Sequence, residues 1–268
     1  MPFTLNARLL FACCIVCVGG PALSGASQAD VARSQLDLGR LFASASPWEL
    51  RITQKPPEQD PVGLAGELVP GAIHLCLTRD GGQRCNRVLD ELLVVGGKPD
   101  LFSSPHFVEL MRVVYAQPSQ PLLVIRVASL HSGDGDQRTA TLALAYNGQQ
   151  DRFTVAYRKQ TYRNNNQEVR FIDTGPLRGA IVSAEPTDDA PFAYWITANR
   201  WEPNGGYRQV LRYRSATRYG DGNPLAAIDS DMPELQRRLG LWRPGLPLPL
   251  PPGGCRSPRL VAGALWCG

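Results

Sequence analysis

The chain has 268 residues, of which 43% are hydrophobic and 19% are charged, and its formal net charge is +4. This composition is ordinary for a globular protein and excludes wholesale disorder. The charge is too small to indicate a nucleic-acid-binding protein. No HExxH, P-loop or GxGxxG motif occurs in the sequence, so we expect neither a metal nor a cofactor.

The first 29 residues have the pattern of a secretory signal peptide. Arg8 precedes an apolar run over residues 9–18, and small residues follow over residues 21–29. The run is too short to span a bilayer, which needs about 20 apolar residues. We therefore expect cleavage after Ala26 or Ala29, a periplasmic or secreted protein, and no transmembrane segment after leader removal. A buried N-terminal helix is the alternative.

Cleavage would remove three cysteines and leave four: Cys76, Cys85, Cys255 and Cys267. An even number of cysteines in an oxidising compartment indicates two disulfides. A turn at Asp80-Gly81-Gly82 brings the first two together, and a short segment separates the last two. Local pairing within each couple is therefore favoured. A zinc site is the alternative, but neither a CxxC motif nor a nearby histidine pair supports it.

Residues 30–120 form a β-rich segment around the first disulfide hairpin. Residues 30–45 have a loosely helical spacing, which suits a short helix or an irregular lead-in. Strand patterns follow at residues 48–53 and 73–78, on either side of a Pro-rich loop. Two further segments suit either a strand or a helix, because periodicity does not decide over so few residues: 89–95 and 104–115.

Residues 121–243 are predicted to form an antiparallel β unit followed by a short helix. Turn clusters separate seven strand patterns: 121–130, 139–146, 152–159, 168–173, 178–184, 192–198 and 207–215. This spacing is typical of an all-β sandwich or an open barrel-like sheet. A Tyr-Arg-x-x-Thr motif recurs at residues 157–161 and 213–217, so duplicated four-stranded units, as in a propeller, are an alternative.

One short helix is expected over residues 232–239. Asp231 and Glu234 have the spacing of a capping box, and Gly240 suits the C-terminal end. Residues 244–268 form a Pro-rich C-terminal segment with the second disulfide loop, and its first part is expected to adopt polyproline II. The whole chain is thus predicted to be all-β, mainly antiparallel, with one or two short helices.

Arginines alternate with apolar residues along two predicted strands. Alternation separates two sets on the last strand: Tyr207, Leu211 and Tyr213 on one side, and Arg208, Val210, Arg212 and Arg214 on the other. On the strand over 152–159 it opposes two further sets: Phe153, Val155 and Tyr157 against Arg152 and Arg158. The candidate anion-binding residues are therefore Arg208, Arg212, Arg214 and Arg158, because guanidinium groups contact oxyanions at two points. The expected partner is an anionic envelope polymer or another envelope protein. A solvated face, with Glu168 and Arg170 interleaved, is the alternative.

Catalytic and calcium-binding patterns are incomplete. His131 and Ser132 with Asp134 or Asp136 suggest a catalytic triad, but no G-x-S-x-G elbow accompanies them. Glycoside hydrolysis leaves no fixed spacing of carboxylates, and its candidates are Glu168, Asp173, Glu185, Asp188, Asp189, Asp229 and Asp231. Oxygen-rich turns resemble calcium loops without completing the EF-hand pattern: residues 134–136, 221–223 and 229–231.

The sequence therefore predicts an exported, disulfide-stabilised, β-rich protein that acts as a non-catalytic binding or structural module of the cell envelope or extracellular space. A secreted hydrolase acting on glycans or esters is the alternative. A deep pocket with converging carboxylates would favour the enzyme. A flat arginine face without such a pocket would favour the binding module.

Overall fold

The structure is a computed structural model that describes residues 31–63, 66–133, 135–163, 166–202 and 205–268. Within these ranges the chain forms mainly antiparallel strands and two α-helices, which confirms the predicted all-β class. The predicted signal peptide and Asp134 lie outside the described residues. Among the described residues, no helix has both the length and the apolar character needed to cross a membrane.

The first elements are β1 (Val31–Asp37), helix α1 (Leu38–Phe42), β2 (Glu49–Gln54), the short strands β3 (Glu58–Gln59) and β4 (Leu68–Val69), and β5 (Ile73–Thr78). An antiparallel sheet in the order β1-β2-β5 forms the first sheet, and β3 pairs with β4. The segment that suited a helix or an irregular lead-in is thus a strand followed by one helical turn. Cys76 is bonded to Cys85, with Cα atoms 4.9 Å apart, which confirms the local pairing.

The central sheet is a meander of four long strands: β6 (Phe107–Gln117), β7 (Gln120–His131), β8 (Gln137–Asn147) and β9 (Arg152–Tyr162). A 3-10 turn over Arg87–Leu89 precedes it. Strands β7 and β8 are buried on both faces, which explains their nearly continuous apolar sequences. The segment over 104–115, which suited either a strand or a helix, becomes the edge strand β6.

The third sheet is a second meander: β10 (Glu168–Phe171), β11 (Ile181–Pro186), β12 (Ala193–Glu202) and β13 (Gly206–Arg218). A 3-10 turn over Gly175–Leu177 joins its first two strands. The two Tyr-Arg-x-x-Thr motifs lie on β9 and β13, each the fourth strand of its four-stranded meander. Duplication of a four-stranded unit stays a prediction.

The sheets pack face to face in layers. Apolar side chains from the first sheet and from one face of the central sheet share a core that includes Leu50, Leu75, Ile125 and Leu142. The other face of the central sheet packs on the third sheet through Leu122, Val124, Phe171 and Ile181. The far face of the third sheet packs on a helix, α2 (Ala227–Arg238), through Ile196, Ile228 and Leu235.

Helix α2 begins earlier than the sequence pattern indicated, and the predicted capping box is wrong. Ala226 is the N-cap and contributes no side-chain hydrogen bond. Instead, the backbone N–H of Ile228 donates to Glu168 Oε1 at 2.7 Å, so the cap comes from β10. Asp231 lies inside the helix, and Glu234 accepts hydrogen bonds from two arginines of the last turn.

Gly240 ends α2 as predicted. Its φ is 70°, in the left-handed region that glycine adopts without strain. Its N–H donates to the Arg237 carbonyl, and the N–H of Leu241 donates to the Gln236 carbonyl, which is the Schellman arrangement. Past this turn the chain leads through the Pro-rich segment to a terminal hairpin, β14 (Arg259–Val261) and β15 (Ala264–Trp266). Cys255 is bonded to Cys267, with Cα atoms 5.2 Å apart, as predicted.

Candidate ligand-binding cavity

The structure distributes the four candidate arginines over three surfaces. A bulge at Val210 breaks the alternation on β13, because Ala198 pairs with Leu211 whereas Asn199 pairs with Gln209. Arg208 therefore lies on the face of the third sheet that packs on α2. Arg212 and Arg214, opposite Thr197 and Trp195, lie together on the other face. Val210 packs against the core beside α2, so its predicted place on the arginine side is wrong. Tyr207 packs against the core beside the central sheet, whereas Leu211 and Tyr213 pack beside α2, so their predicted common side is also wrong.

A second bulge on β9 separates Arg158 from the others. Ala143 pairs with Tyr157 and Leu144 with Val155, so Ala156 is the extra residue. Phe153 therefore packs in the core beside the first sheet and Tyr157 in the core beside the third sheet, and their predicted common face is wrong. Arg158 lies opposite Leu142, on the side of the first sheet, and donates to the Glu91 carbonyl at 2.7 Å.

The arginines of β13 are exposed and have local partners. Arg208 pairs with Glu202. Arg214 pairs with Asp189 at 3.1 Å and donates to the Pro191 carbonyl at 2.7 Å. The guanidinium carbon of Arg212 lies 4.7 Å from the centre of the Trp195 ring, which is a cation–π contact. Anion binding by these residues stays a prediction.

Of the carboxylates proposed for glycoside hydrolysis, Asp173 and Asp229 line one cavity, which is described below, and the others do not line it. Most are bound to separate cationic partners: Asp173 to Arg112, Glu185 to Lys159, Asp189 to Arg214, and Glu168 and Asp229 to Arg170. Asp188 is exposed, and Asp231 is buried beside Tyr213. Ser132 Oγ donates to the Asp136 carbonyl, and His131 is exposed. Each of the two candidates that line this cavity is bound to an arginine, which favours the ionised carboxylate over a role as an acid–base pair.

Side chains of the oxygen-rich turn over residues 221–223 form hydrogen bonds within the fold. Asp221 accepts hydrogen bonds from the backbone N–H groups of Arg218 and Asn223, which makes it a turn residue. The Asn223 amide donates to Ser230 and to the Leu265 carbonyl. Asp229 and Asp231 point to different partners, as described above. One cluster of metal-ligand types occurs among the described residues, and two of its three members are the bonded sulfurs of Cys76 and Cys85, beside His74.

A cavity of about 560 Å³ lies between β10, the 3-10 turn after it, α2 and the Pro-rich segment. Small-molecule sites commonly have volumes of about 300–1,000 Å³ and mainly apolar walls. Apolar side chains line most of this one: Phe171, Ile172, Leu177, Met232, Leu241, Trp242, Leu246 and Leu250, with five prolines. The cavity is therefore of the size and character of a ligand site.

Helix α2 presents two different faces to its surroundings. Asp229, Met232 and Gln236 follow each other at i, i+3 and i+7, so they share one face, and all three line the cavity. Ile228 and Leu235 lie on another face and pack against the third sheet. The cavity is thus bounded by the side of α2 that the sheet leaves uncovered.

Gln236 is the polar side chain of this wall. It is only 7% exposed, and it lines the cavity. Within the described part of the chain, its side-chain amide makes no hydrogen bond, while its backbone carbonyl closes the end of α2. Buried amides normally have partners, because an unmade hydrogen bond costs about 1–3 kcal/mol. The wall therefore offers an unused donor and an unused acceptor.

Charged groups stand at the rim of the cavity in pairs. Arg112 Nη2 lies 2.8 Å from Asp173 Oδ2, and Arg170 binds both Asp229 and Glu168. Burial lowers the pKa of neighbouring Arg126, whereas Asp229 and Glu168 overcome burial and raise the pKa of Arg170. The four charged residues that line the cavity carry no net charge together.

The outer wall is a segment with no helix or strand, residues 243–252, and it is held at both ends. Near its start, Trp242 Nε1 donates to the Pro247 carbonyl at 2.9 Å. Beyond its end, the terminal hairpin is closed by the Cys255–Cys267 disulfide and anchored to α2 by Ser230, whose Oγ donates to the Leu265 carbonyl. The disulfide therefore helps to fix one wall of the cavity.

Asp231 lies behind the cavity, on the inner side of α2. It is 1% exposed, and its Oδ1 accepts a hydrogen bond from the Tyr213 hydroxyl, while Oδ2 has no partner. Burial raises the pKa of Asp231 to about 6, against opposing contributions from Thr217, Tyr213 and Ser215. Burial also raises the pKa of Tyr213. Burying this carboxyl with one unpartnered oxygen is thus energetically unfavourable when the carboxyl is ionised.

The sequence interpretation missed the cavity residues, because they come from four separated parts of the chain. One signal was available for Gln236. Continuing the helix pattern backward to Ala227 would place Asp229, Met232 and Gln236 on one face, just before a tryptophan and a Pro-Leu repeat. Comparison of the chain with protein-family models, with curated proteins and with solved structures gives no match.

Proposed function

We propose that this chain is an exported, non-catalytic binding module that holds an apolar small molecule in the cavity between α2 and the Pro-rich segment. The observation that carries the proposal is the cavity itself, which has a suitable volume and mainly apolar walls. Its walls are formed by the ends of regular elements and by a segment held through a disulfide. A preformed site of this kind binds without a large cost of ordering the protein.

Export is part of the proposal. Two disulfides join neighbouring cysteines, which suits an oxidising compartment, and the leader pattern at the N-terminus suits secretion. A module of the cell envelope or extracellular space meets apolar molecules released from membranes or from other cells. The catalytic alternative has less support, since Asp173 and Asp229, the candidate carboxylates that line the cavity, are each bound to an arginine.

The binding proposal is tested with Nile red, a neutral fluorophore whose emission rises in apolar surroundings. We expect saturable binding to the oxidised protein with one site per chain. Met232→Trp places a larger side chain in the cavity wall and should lower the affinity at least about tenfold, which corresponds to about 1.4 kcal/mol. Fluorescence titration measures both results.

The matched control is Met111→Trp, the same substitution at a methionine that borders a separate cleft beside the first sheet. It should leave the affinity within twofold, provided that thermal unfolding shows both variants to be folded. Absence of saturable binding to the parent protein would refute the proposal. A loss of affinity in Met111→Trp alone would place the site in the other cleft and would refute the assignment to this cavity.

A further inference from the structure

We infer that the cavity takes a neutral amphipathic molecule, whose polar end both donates and accepts hydrogen bonds, as a carboxamide or an alcohol does. The inference rests on the proposed function, because it names the ligand class of the same site. Three features of the wall support it, namely the unused amide of Gln236, the balanced charges of the rim and the apolar remainder of the lining.

The Gln236 amide determines the hydrogen-bonding character of the ligand. A side-chain amide has an oxygen that accepts and a nitrogen that donates, and neither has a partner within the described residues. A ligand group that only accepts would leave the oxygen unsatisfied, and one that only donates would leave the nitrogen unsatisfied. A hydroxyl or a carboxamide satisfies both atoms of the amide, so it replaces the hydrogen bonds that the amide makes with water.

The balanced rim argues against a charged ligand. Arg112 is bound to Asp173 through Nη2, and Arg170 is bound to acids on two sides, so each guanidinium already has an opposite charge. Arg112 Nε has no hydrogen-bond partner, but it is buried, so this donor is not exposed to a ligand. An ionised group moved from water into this site would lose hydration without gaining an opposite charge, which costs far more than moving a neutral group. Carboxylates and ammonium groups should therefore be rejected.

The remaining lining determines the body of the ligand. Phe171, Met232 and Trp242 offer aromatic and thioether surface, and prolines of the outer wall add surface without backbone N–H donors. The indole N–H of Trp242 is already used by the Pro247 carbonyl. Apart from Gln236, the exposed Thr174 and the paired rim, this lining suits hydrocarbon.

The test compares four molecules with the same alkyl chain: decan-1-ol, decanamide, decanoate and decylammonium. Each competes with Nile red for the oxidised protein at neutral pH. We expect the alcohol and the amide to bind about tenfold more tightly than either ion, as one satisfied hydrogen bond and an avoided desolvation penalty imply. Decanoate binding more tightly than decan-1-ol would overturn the inference while leaving the cavity function intact.

Gln236→Leu tests whether the side-chain amide of Gln236 causes the preference for neutral ligands over ions. The substitution keeps the volume of the side chain, and it should lower the preference for decan-1-ol and decanamide over decanoate and decylammonium about fivefold, each affinity being measured by competition with Nile red bound to the same variant. Gln209→Leu, at an exposed glutamine of β13, is the control and should not change this preference. An equal loss for every ligand would give Gln236 a packing role only and would overturn the inference. Failure of Nile red itself to bind the parent protein would instead refute the proposed function.

Discussion

The two ends of the stack of sheets are covered in different ways. One face of the central sheet is covered by a second sheet, β1-β2-β5, which buries Leu50, Ile52 and Leu77. The outer face of the third sheet is covered by a single helix and by a segment without secondary structure. The first sheet, here called the regular cover, shares a continuous apolar core with the central sheet. Helix α2 with residues 243–252, here called the irregular cover, encloses the apolar cavity described above.

Simple dimensions explain the difference. Four strands spaced at about 4.8 Å make a surface nearly 20 Å wide, whereas a helix with its side chains is about 10–12 Å wide. One helix therefore covers about half of the third sheet. The rest is covered by residues 243–252, and a Pro-rich chain suits this place because prolines have no N–H groups that need partners.

We expect ligand binding at the irregular cover to depend on the Cys255–Cys267 disulfide, and not on the disulfide beside the regular cover. Cys255→Ala/Cys267→Ala should lower the free energy of unfolding by a little under about 3 kcal/mol, as expected for a closed loop of this length. It should also lower the affinity for Nile red at least about tenfold, because the outer wall of the cavity loses one of its two anchors. Chemical denaturation and fluorescence titration measure the two effects.

The control is Cys76→Ala/Cys85→Ala, which opens a loop of similar length at the edge of the first sheet. We expect a similar loss of stability but no more than a twofold change in affinity. If both double variants lost affinity equally, the comparison between the two covers would fail, since the cavity would then depend on global stability alone.

Much of the regular cover could be predicted from the sequence, and much of the irregular cover could not. Strand β5 has the bounds that alternation indicated, and both disulfides follow from short separations along the chain. The start of α2 was missed because its cap is Glu168, some 60 residues away, and no local pattern reports such a contact. The bulges at Ala156 and Val210 were missed because an extra residue reverses the alternation without a sequence signal of its own.

The cavity was beyond prediction for a related reason. Its walls combine Arg112, residues 170–177, one face of α2 and the Pro-rich segment, which come together only through the packing of the third sheet. The predicted arginine face failed as a single surface because alternation was extended through both bulges. Sequence periodicity thus describes single strands well, and it describes how separate segments meet poorly.

The buried carboxyl of Asp231 lies in α2, and it should make the free energy of unfolding depend on pH. Because burial raises the pKa of Asp231 from 3.8 to about 6, the folded protein holds this proton more tightly than the unfolded chain does. Asp231 therefore favours folding most below pH 4, and this contribution is lost as the pH rises through about 6. Between pH 5 and pH 8 the free energy of unfolding should fall by about 1.4 kcal/mol on this account.

Asp231→Asn should remove this part of the pH dependence and should stabilise the protein at pH 8, because a neutral amide replaces a buried carboxylate that is charged at that pH. Glu234 and Arg238 also face this region, so the difference between parent and variant isolates Asp231. Asp188→Asn, at an exposed position, is the control and should leave the pH profile unchanged. Denaturant unfolding at several pH values provides the measurement, and identical profiles for parent and Asp231→Asn would contradict the expectation.

The smallest effect on stability is expected at the opposite face of the third sheet, which α2 does not cover. Arg212→Ser/Arg214→Ser should change the free energy of unfolding by less than about 1 kcal/mol per residue, because Arg214 and Asp189 are both substantially exposed. Arg158→Ser/Arg208→Ser removes the same charge from two other surfaces and serves as the control.

The same two double variants test whether the face around Trp195 binds anionic polysaccharide. If it does, Arg212→Ser/Arg214→Ser alone should weaken the retention of the protein on such a polymer about fivefold, and added salt should weaken this retention further. Equal weakening by both pairs would mean that net charge rather than this face attracts the polymer. Retention that is insensitive to salt and to both substitutions would leave Arg212 and Arg214 as residues of a solvated sheet face and nothing more.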